Sequence, residues 1–393
     1  MFRILISTIA FASSGVSLAW GQSVESQPEY LVGAYYFAGW WREQPNKWTT
    51  AGRDWRADWP GRVPLLGEYN DQESMDREIV AAAEHNVDFF QILWYPQPDK
   101  TRPDPQVEHL NSAVRLFMDS PHCRRMKFTI EFVNHPPFDL ASDAAWVAAC
   151  REWCKAMTHP SYLRIDGRPV FKVHGMQLFH HQMGKNIERI KFRLETFRQI
   201  IREAGLENPL FSAGTVPAAE ARFGTVAEPY DFLTTYMDMP NVLKTDKPYP
   251  YEMLLAHAEK AWKTSPDQGN KMYVPYVPAG WDPRPWRDPR PPFEMPTRER
   301  WTDALRKVKT ALDADPRLGV PTKAGGRQKM LLIYAWNEFG EGGFIAPTRG
   351  EGTMKLECIR EVFGASTRTP SSRARDESRL NHEQQLIATN TDR

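Results

Sequence analysis

Short runs of apolar, β-branched and aromatic residues alternate along the chain with longer stretches whose apolar positions recur every three to four residues. The runs of strand length are 30–37 (YLVGAYYF), 87–94 (VDFFQILW), 126–133 (MKFTIEFV), 169–174 (PVFKVH), 209–214 (PLFSAG), 231–237 (DFLTTYM), 271–277 (KMYVPYV) and 329–336 (KMLLIYAW). Helical spacing predicts helices near 73–86, 108–119, 142–157, 185–204, 218–223, 250–264, 297–314 and 352–363. In the first of these, Met75, Ile79, Ala82 and Ala83 form one apolar stripe. Strands that are apolar throughout are buried on both faces, and strict alternation with helices predicts a parallel sheet. Eight such units predict a closed (β/α)8 barrel, the TIM barrel, as one α/β domain with long βα loops. An open doubly wound sheet would want a glycine-rich phosphate turn after the first strand. Here that strand runs into Ala38-Gly39-Trp40-Trp41 instead.

The two ends fall outside this pattern. Arg3 precedes an uncharged stretch from Ile4 to Val24, with small residues around Ala19-Trp20-Gly21. A positive start, a short apolar middle and a small-residue site read as a secretory signal over 1–21. A retained membrane anchor is the alternative, but the many serines in the stretch argue against it. The expectation is a secreted or periplasmic protein with no membrane contact after cleavage and a catalytic domain over 22–364. Residues 365–393 read as a polar, solvated tail.

Composition narrows the partners. The 50 Lys+Arg against 49 Asp+Glu leave a net charge of +1, without the basic balance that nucleic-acid binding favours. The 14 Trp and 13 Tyr exceed what a core alone needs and suggest flat aromatic surfaces for a ligand. Cys123, Cys150, Cys154 and Cys358 fit either one disulfide, Cys123 with Cys150 or Cys154, or plain buried thiols. Neither their spacing nor that of the histidines matches a zinc motif, so no metal or cofactor is expected.

A barrel concentrates chemistry at the carboxyl ends of its strands. Polar and aromatic residues cluster there. The loop after strand one holds Trp40, Trp41, Trp48, Trp55 and Trp59. Tyr36, Trp94, Tyr95, Glu131, His174 and Tyr236 stand at strand ends, Trp281, Asp282 and Trp286 follow strand seven, and Asn337, Glu338 and Glu341 follow strand eight. Indole and phenol faces beside carboxylates and amides suit an oligo- or polysaccharide: the rings stack on sugar C–H faces and the polar groups bond hydroxyls. Glycosidic cleavage needs one carboxylic acid and one carboxylate. Glu338 and Glu341 are the obvious pair, if Gly340 and Gly342 let the chain turn. Glu131, inside an apolar strand, demands a partner, for which Lys172 is the candidate; His174 reads equally as a core or a site histidine.

These motifs resemble glycoside hydrolase family 99, the endo-α-mannosidases, and the related WbsX-type group. The likeness lies in Val87-Asp88 to Leu93-Trp94-Tyr95-Pro96, Phe128-Thr129-Ile130-Glu131, Val274-Pro275 through Trp281-Asp282 to Arg284-Pro285-Trp286, and Trp336-Asn337-Glu338-Phe339-Gly340-Glu341-Gly342. It implies a retaining endo-glycosidase without a metal. Glu338 would deprotonate the substrate's own 2-hydroxyl, which attacks the anomeric carbon to give a 1,2-anhydro sugar. Glu341 would be the acid/base, and Glu131 would contact the substrate. The chain differs in having Phe132-Val133 after Glu131, where the mannosidases tend to have Pro-Tyr, and Phe339 in place of a Trp. A WbsX-type glycosyltransferase and an inactive carbohydrate-binding protein are the rival readings.

Overall fold

The computed structural model describes residues 28–97, 104–215 and 224–364. The expected signal, the C-terminal tail and the helix at 218–223 lie outside the described residues. Among the described residues nine strands form the barrel wall, with two short strands paired onto its margin: β1 Tyr30–Tyr36, β2 Phe89–Trp94, β3 Lys127–Phe132, β4 Arg168–Val173, β5 Leu210–Gly214, β6 Phe232–Thr234, β7 Met272–Val274, β8 Tyr276–Pro278 and β9 Arg327–Tyr334. Their order is β7-β6-β5-β4-β3-β2-β1-β9-β8, and all eight pairings along it are parallel.

One expected strand is two. The run 271–277 breaks at Pro275, which has no N–H to give to a ladder. Its first half, β7, pairs with β6, and its second half, β8, pairs with β9 from Tyr276↔Leu332 to Pro278↔Tyr334. The two ends of the sheet are therefore consecutive in the chain, and the kink between them closes the barrel.

Nine helices are described: α1 Gln72–Glu84, α2 Pro105–Leu110, α3 Ser112–Asp119, α4 Asp143–Met157, α5 Met176–Gln182, α6 Ile187–Glu203, α7 Tyr251–Gly269, α8 Arg298–Ala314 and α9 Met354–Phe363. None of them is long and apolar enough to cross a membrane. The expected helix at 108–119 is split at Asn111, whose amide clasps the Tyr95 backbone on both sides, at 2.7 Å to its N–H and 2.7 Å to its C=O. Helix α7 runs past 264, where the sequence pattern ends it, continues through Pro266 and stops at Asn270 in the left-handed conformation.

Alternation along the strands sorts two aromatic layers. Phe90, Phe128, Phe132, Phe171 and Phe211 face the helices, where Phe117, Trp153 and Phe197 meet them at centroid distances of 4.7–6.3 Å. The opposite faces fill the barrel. There Lys172 Nζ donates to Tyr35 Oη at 2.8 Å and pairs with Glu131 at 3.0 Å. Strands β1 and β4 are three places apart in the wall, so the Lys172–Tyr35 bond crosses the interior. All four cysteines are free thiols.

Candidate active site

Glu338 and Glu341 sit at the carboxyl end of β9, where Asn337–Glu338 pairs with Gly343–Phe344 in a tight antiparallel hairpin. The turn is closed by Glu341 N–H donating to Glu338 C=O at 3.2 Å, which brings two residues three apart to one side. Two glycines make it possible. A Cβ on Gly340 would lie 2.1 Å from the Trp286 indole, and Gly342 has φ +79° with Asp282 N only 2.6 Å from its would-be Cβ.

Each carboxylate is held by a tyrosine. Tyr236 donates to Glu338 Oε1 at 2.6 Å, while Tyr334 donates to Glu341 Oε2. The two phenol rings meet edge to face at 5.0 Å. Arg290 Nη2 lies 3.2 Å from Glu341 Oε1 and rests on the Trp281 ring at 4.4 Å. The second oxygen of Glu338 is buried without a partner.

Burial and the neighbouring Glu341 push Glu338 well above the ordinary carboxylate range. Burial also raises Glu341, against the pull of Tyr334 and Arg290. The two carboxyls therefore titrate as a pair, with Arg290 favouring the charge on Glu341 and burial favouring the proton on Glu338.

A third carboxylate joins the cluster. Glu131, fully buried, accepts from Lys172 and lies 2.7 Å from His174 Nδ1, with its Oε2 unpartnered. Burial alone would raise it, yet Lys172 and His174 more than offset that and hold it below its usual value. His174 and Tyr35 flank the Tyr236 ring at 5.0 and 4.7 Å. Tyr95 stands among the acids: burial, then Glu338, Glu131 and Glu341 in that order, raise its phenol. Glu338, Glu341, Glu131, His174, Tyr236 and Tyr95 thus form one constellation, with Trp281 and Trp286 packed beside it.

Four expected contact residues are placed elsewhere. Tyr36 turns outward, donating to Glu78 of α1 at 2.7 Å and accepting from Asn70 at 2.9 Å. Its neighbour Tyr35 takes the inward position; two adjacent tyrosines give the alternation no phase. Trp94 likewise faces α4, where its Nε1 donates to Glu152 at 2.9 Å. The Asn337 amide is consumed by Phe37, accepting from its N–H at 2.8 Å and donating to its C=O at 2.9 Å. Both carboxylate oxygens of Asp282 are taken by Arg62 and Arg284, at 2.6–2.8 Å. The loop tryptophans mostly pack on one another: Trp40, Trp48 and Trp55 are buried, with Trp40–Trp48 centroids 4.2 Å apart.

Sequence reasoning did not single out Tyr35, Tyr334, Arg62 or Arg290. Tyr334 carried a signal, as a polar-tipped aromatic near the end of the last strand. The arginines carried none, since each comes from a loop whose path only the fold defines.

The architecture is that of the (β/α)8 barrels found among glycoside hydrolases. A solved glycoside hydrolase-like protein superimposes with a TM-score of 0.57 at 15% identity, over 86% of this chain and 94% of its own. The family 99 endo-α-mannosidase from Bacteroides thetaiotaomicron superimposes with a TM-score of 0.52 at 17% identity, over 84% and 95%. Its complex with bis-tris-propane gives 0.51 at 18%, over the same shares. Within this class, the chain belongs to the family described as glycosyltransferase WbsX, whose model matches residues 139–359. No protein of curated function matches the sequence.

Proposed function

We propose that the chain is a secreted retaining glycoside hydrolase that cuts within an α-linked, mannan-like polysaccharide. The observation that carries this reading is the buried pair Glu338 and Glu341, each held by a tyrosine hydroxyl and sharing raised pKa values at the rim of the barrel.

Glu338 takes the proton of the sugar's 2-hydroxyl while that oxygen attacks C1. The C1–O bond to the next sugar breaks, and Glu341 protonates the leaving oxygen. Glu341 then takes a proton from water, which opens the 1,2-anhydro ring at C1, and Glu338 returns its proton to O2. Each acid ends as it began, and two displacements at C1 retain its configuration.

Without sugar the surroundings lean the other way, because Arg290 favours charge on Glu341 while burial and Glu341 favour the protonated form of Glu338. A bound sugar reverses it: a 2-hydroxyl pointing at the free oxygen of Glu338 favours carboxylate there, and the glycosidic oxygen accepts from Glu341. The pH profile of kcat/KM is then a bell that reports the pair and not either acid alone.

The family's description as a glycosyltransferase supports a second reading, transfer from a sugar nucleotide. Such enzymes need a diphosphate site, usually an Asp-x-Asp pair with a divalent ion. The chain's Asp313-Ala314-Asp315 closes α8 on the opposite end of the barrel. Asp313 there is bonded to Tyr30, Lys309 and Lys329, and Asp315 to Arg317. That placement favours hydrolysis.

The test is E341Q, assayed for new reducing ends on a panel of α-mannans. It should lose at least roughly 10³-fold on unactivated glycan, and less on a substrate with an excellent leaving group, since general acid catalysis is no longer needed there. Undiminished release from natural glycan would end the assignment.

A further inference from the structure

The loop after β1 contains a short turn, Pro60–Arg62, that buries Arg62 against the loops following β8 and β9. Its Nη1 donates to Asp282 C=O at 2.8 Å and to Phe339 C=O at 3.2 Å; its Nη2 donates to Asp282 Oδ2 at 2.6 Å. Asp282 in turn donates its backbone N–H to Glu341 C=O at 2.6 Å. Phe339 and Glu341 belong to the same four-residue turn, so one guanidinium, 220 residues before Asp282 in sequence, ties that turn to the Asp282 loop. The Trp59 ring lies against both guanidiniums of the cluster, 4.5 Å from Arg62 and 5.0 Å from Arg284.

Arg62 is more than a counter-charge. Asp282 already has one in Arg284, which grips both its oxygens at 2.7 and 2.8 Å. What Arg62 alone supplies is the reach from Asp282 to Phe339, through a planar fork that a lysine lacks. We propose that Arg62 is a positioning residue: it fixes the turn from Phe339 to Gly342 against the Asp282 loop and so sets where the Glu341 carboxyl stands. The kinetic consequence rests on the hydrolytic reading of Glu341; the clamp itself does not.

The test is R62K, which keeps the charge, with R62Q as a second variant. Hydrogen exchange of the intact protein should quicken at Asp282 and across 338–344, and stay unchanged in the strands of the far wall. On glycan, kcat should fall roughly 10- to 100-fold, the scale expected when a reacting group is misplaced by about an ångström. KM should stay within about twofold, and the pH profile should move as Glu341 shifts against Arg290. Should R62Q fail to fold, R62K alone decides. Exchange that is unchanged around the turn, or kcat per folded molecule and pH profile equal to the wild type, would overturn the proposal. If the wild-type protein cleaves no glycan, the hydrolytic reading fails while the exchange measurement still decides the clamp.

Discussion

Buried carboxyls in this molecule differ by what surrounds them. Glu131 is given an ammonium and stays low, whereas Glu78 of α1 is given neutral partners. Tyr36 donates to it, and burial pushes it up to about 7 from an ordinary 4.5. A carboxyl that is harder to ionise folded than unfolded binds its proton more tightly in the native state. Stability from this group is therefore full below pH 4.5 and declines as pH rises towards 7. That gap corresponds to roughly 3 kcal/mol. The expected outcome for E78Q is a gain in stability at pH 8 and little change at pH 4, read by denaturant unfolding at both values. Equal effects at the two pH values would contradict it.

At the level of elements, the hairpin after β9 depends on backbone that only glycine adopts without strain. At Gly342, φ is +79° and the Asp282 backbone fills the space where a side chain would begin. G342A should cost roughly 2 kcal/mol or more and sharply reduce turnover, since relief of the contact moves either Glu341 or Asp282. A variant with native melting temperature and native kcat would show the turn to be adaptable.

The same elements show what the sequence made legible. Each apolar run became a wall strand because a strand buried on both faces has little choice but hydrophobic residues. The motif from Asn337 to Gly342 announced its turn through its glycines. Phase was the weak point: at Tyr35-Tyr36 and Leu93-Trp94-Tyr95, both faces of the strand bear bulky residues, so burial gives no direction. Asn337 and Asp282 looked like ligand groups because nothing in the chain marks a polar side chain as already satisfied. The split of strand seven was marked by Pro275, but the different partners of its halves follow only from closing the cylinder.

For the molecule as a whole, the interior is not purely apolar. It holds an ion pair, Lys172 with Glu131, both fully buried and spanning adjacent strands. Breaking such a pair leaves an uncompensated charge, while removing both partners relieves the desolvation. K172M should therefore lose roughly 3 kcal/mol or more, and the double variant E131Q/K172M should recover much of it. Urea unfolding of both single variants and of the double variant checks this; losses that simply add would mean that the pair is not coupled.

The kink at Pro275 reaches further than closure. Because β8 keeps step with β9 and not with β7, the segment bearing Asp282 travels with the segment bearing the two acids, and Arg62 joins them from β1. Tyr95, Glu131, His174 and Tyr236 come from the other arc of the rim. In the proposed mechanism one arc carries both acids and the other carries the groups that would meet the sugar, with the Tyr236–Glu338 hydrogen bond joining the two, so a change on either side would be felt across that bond.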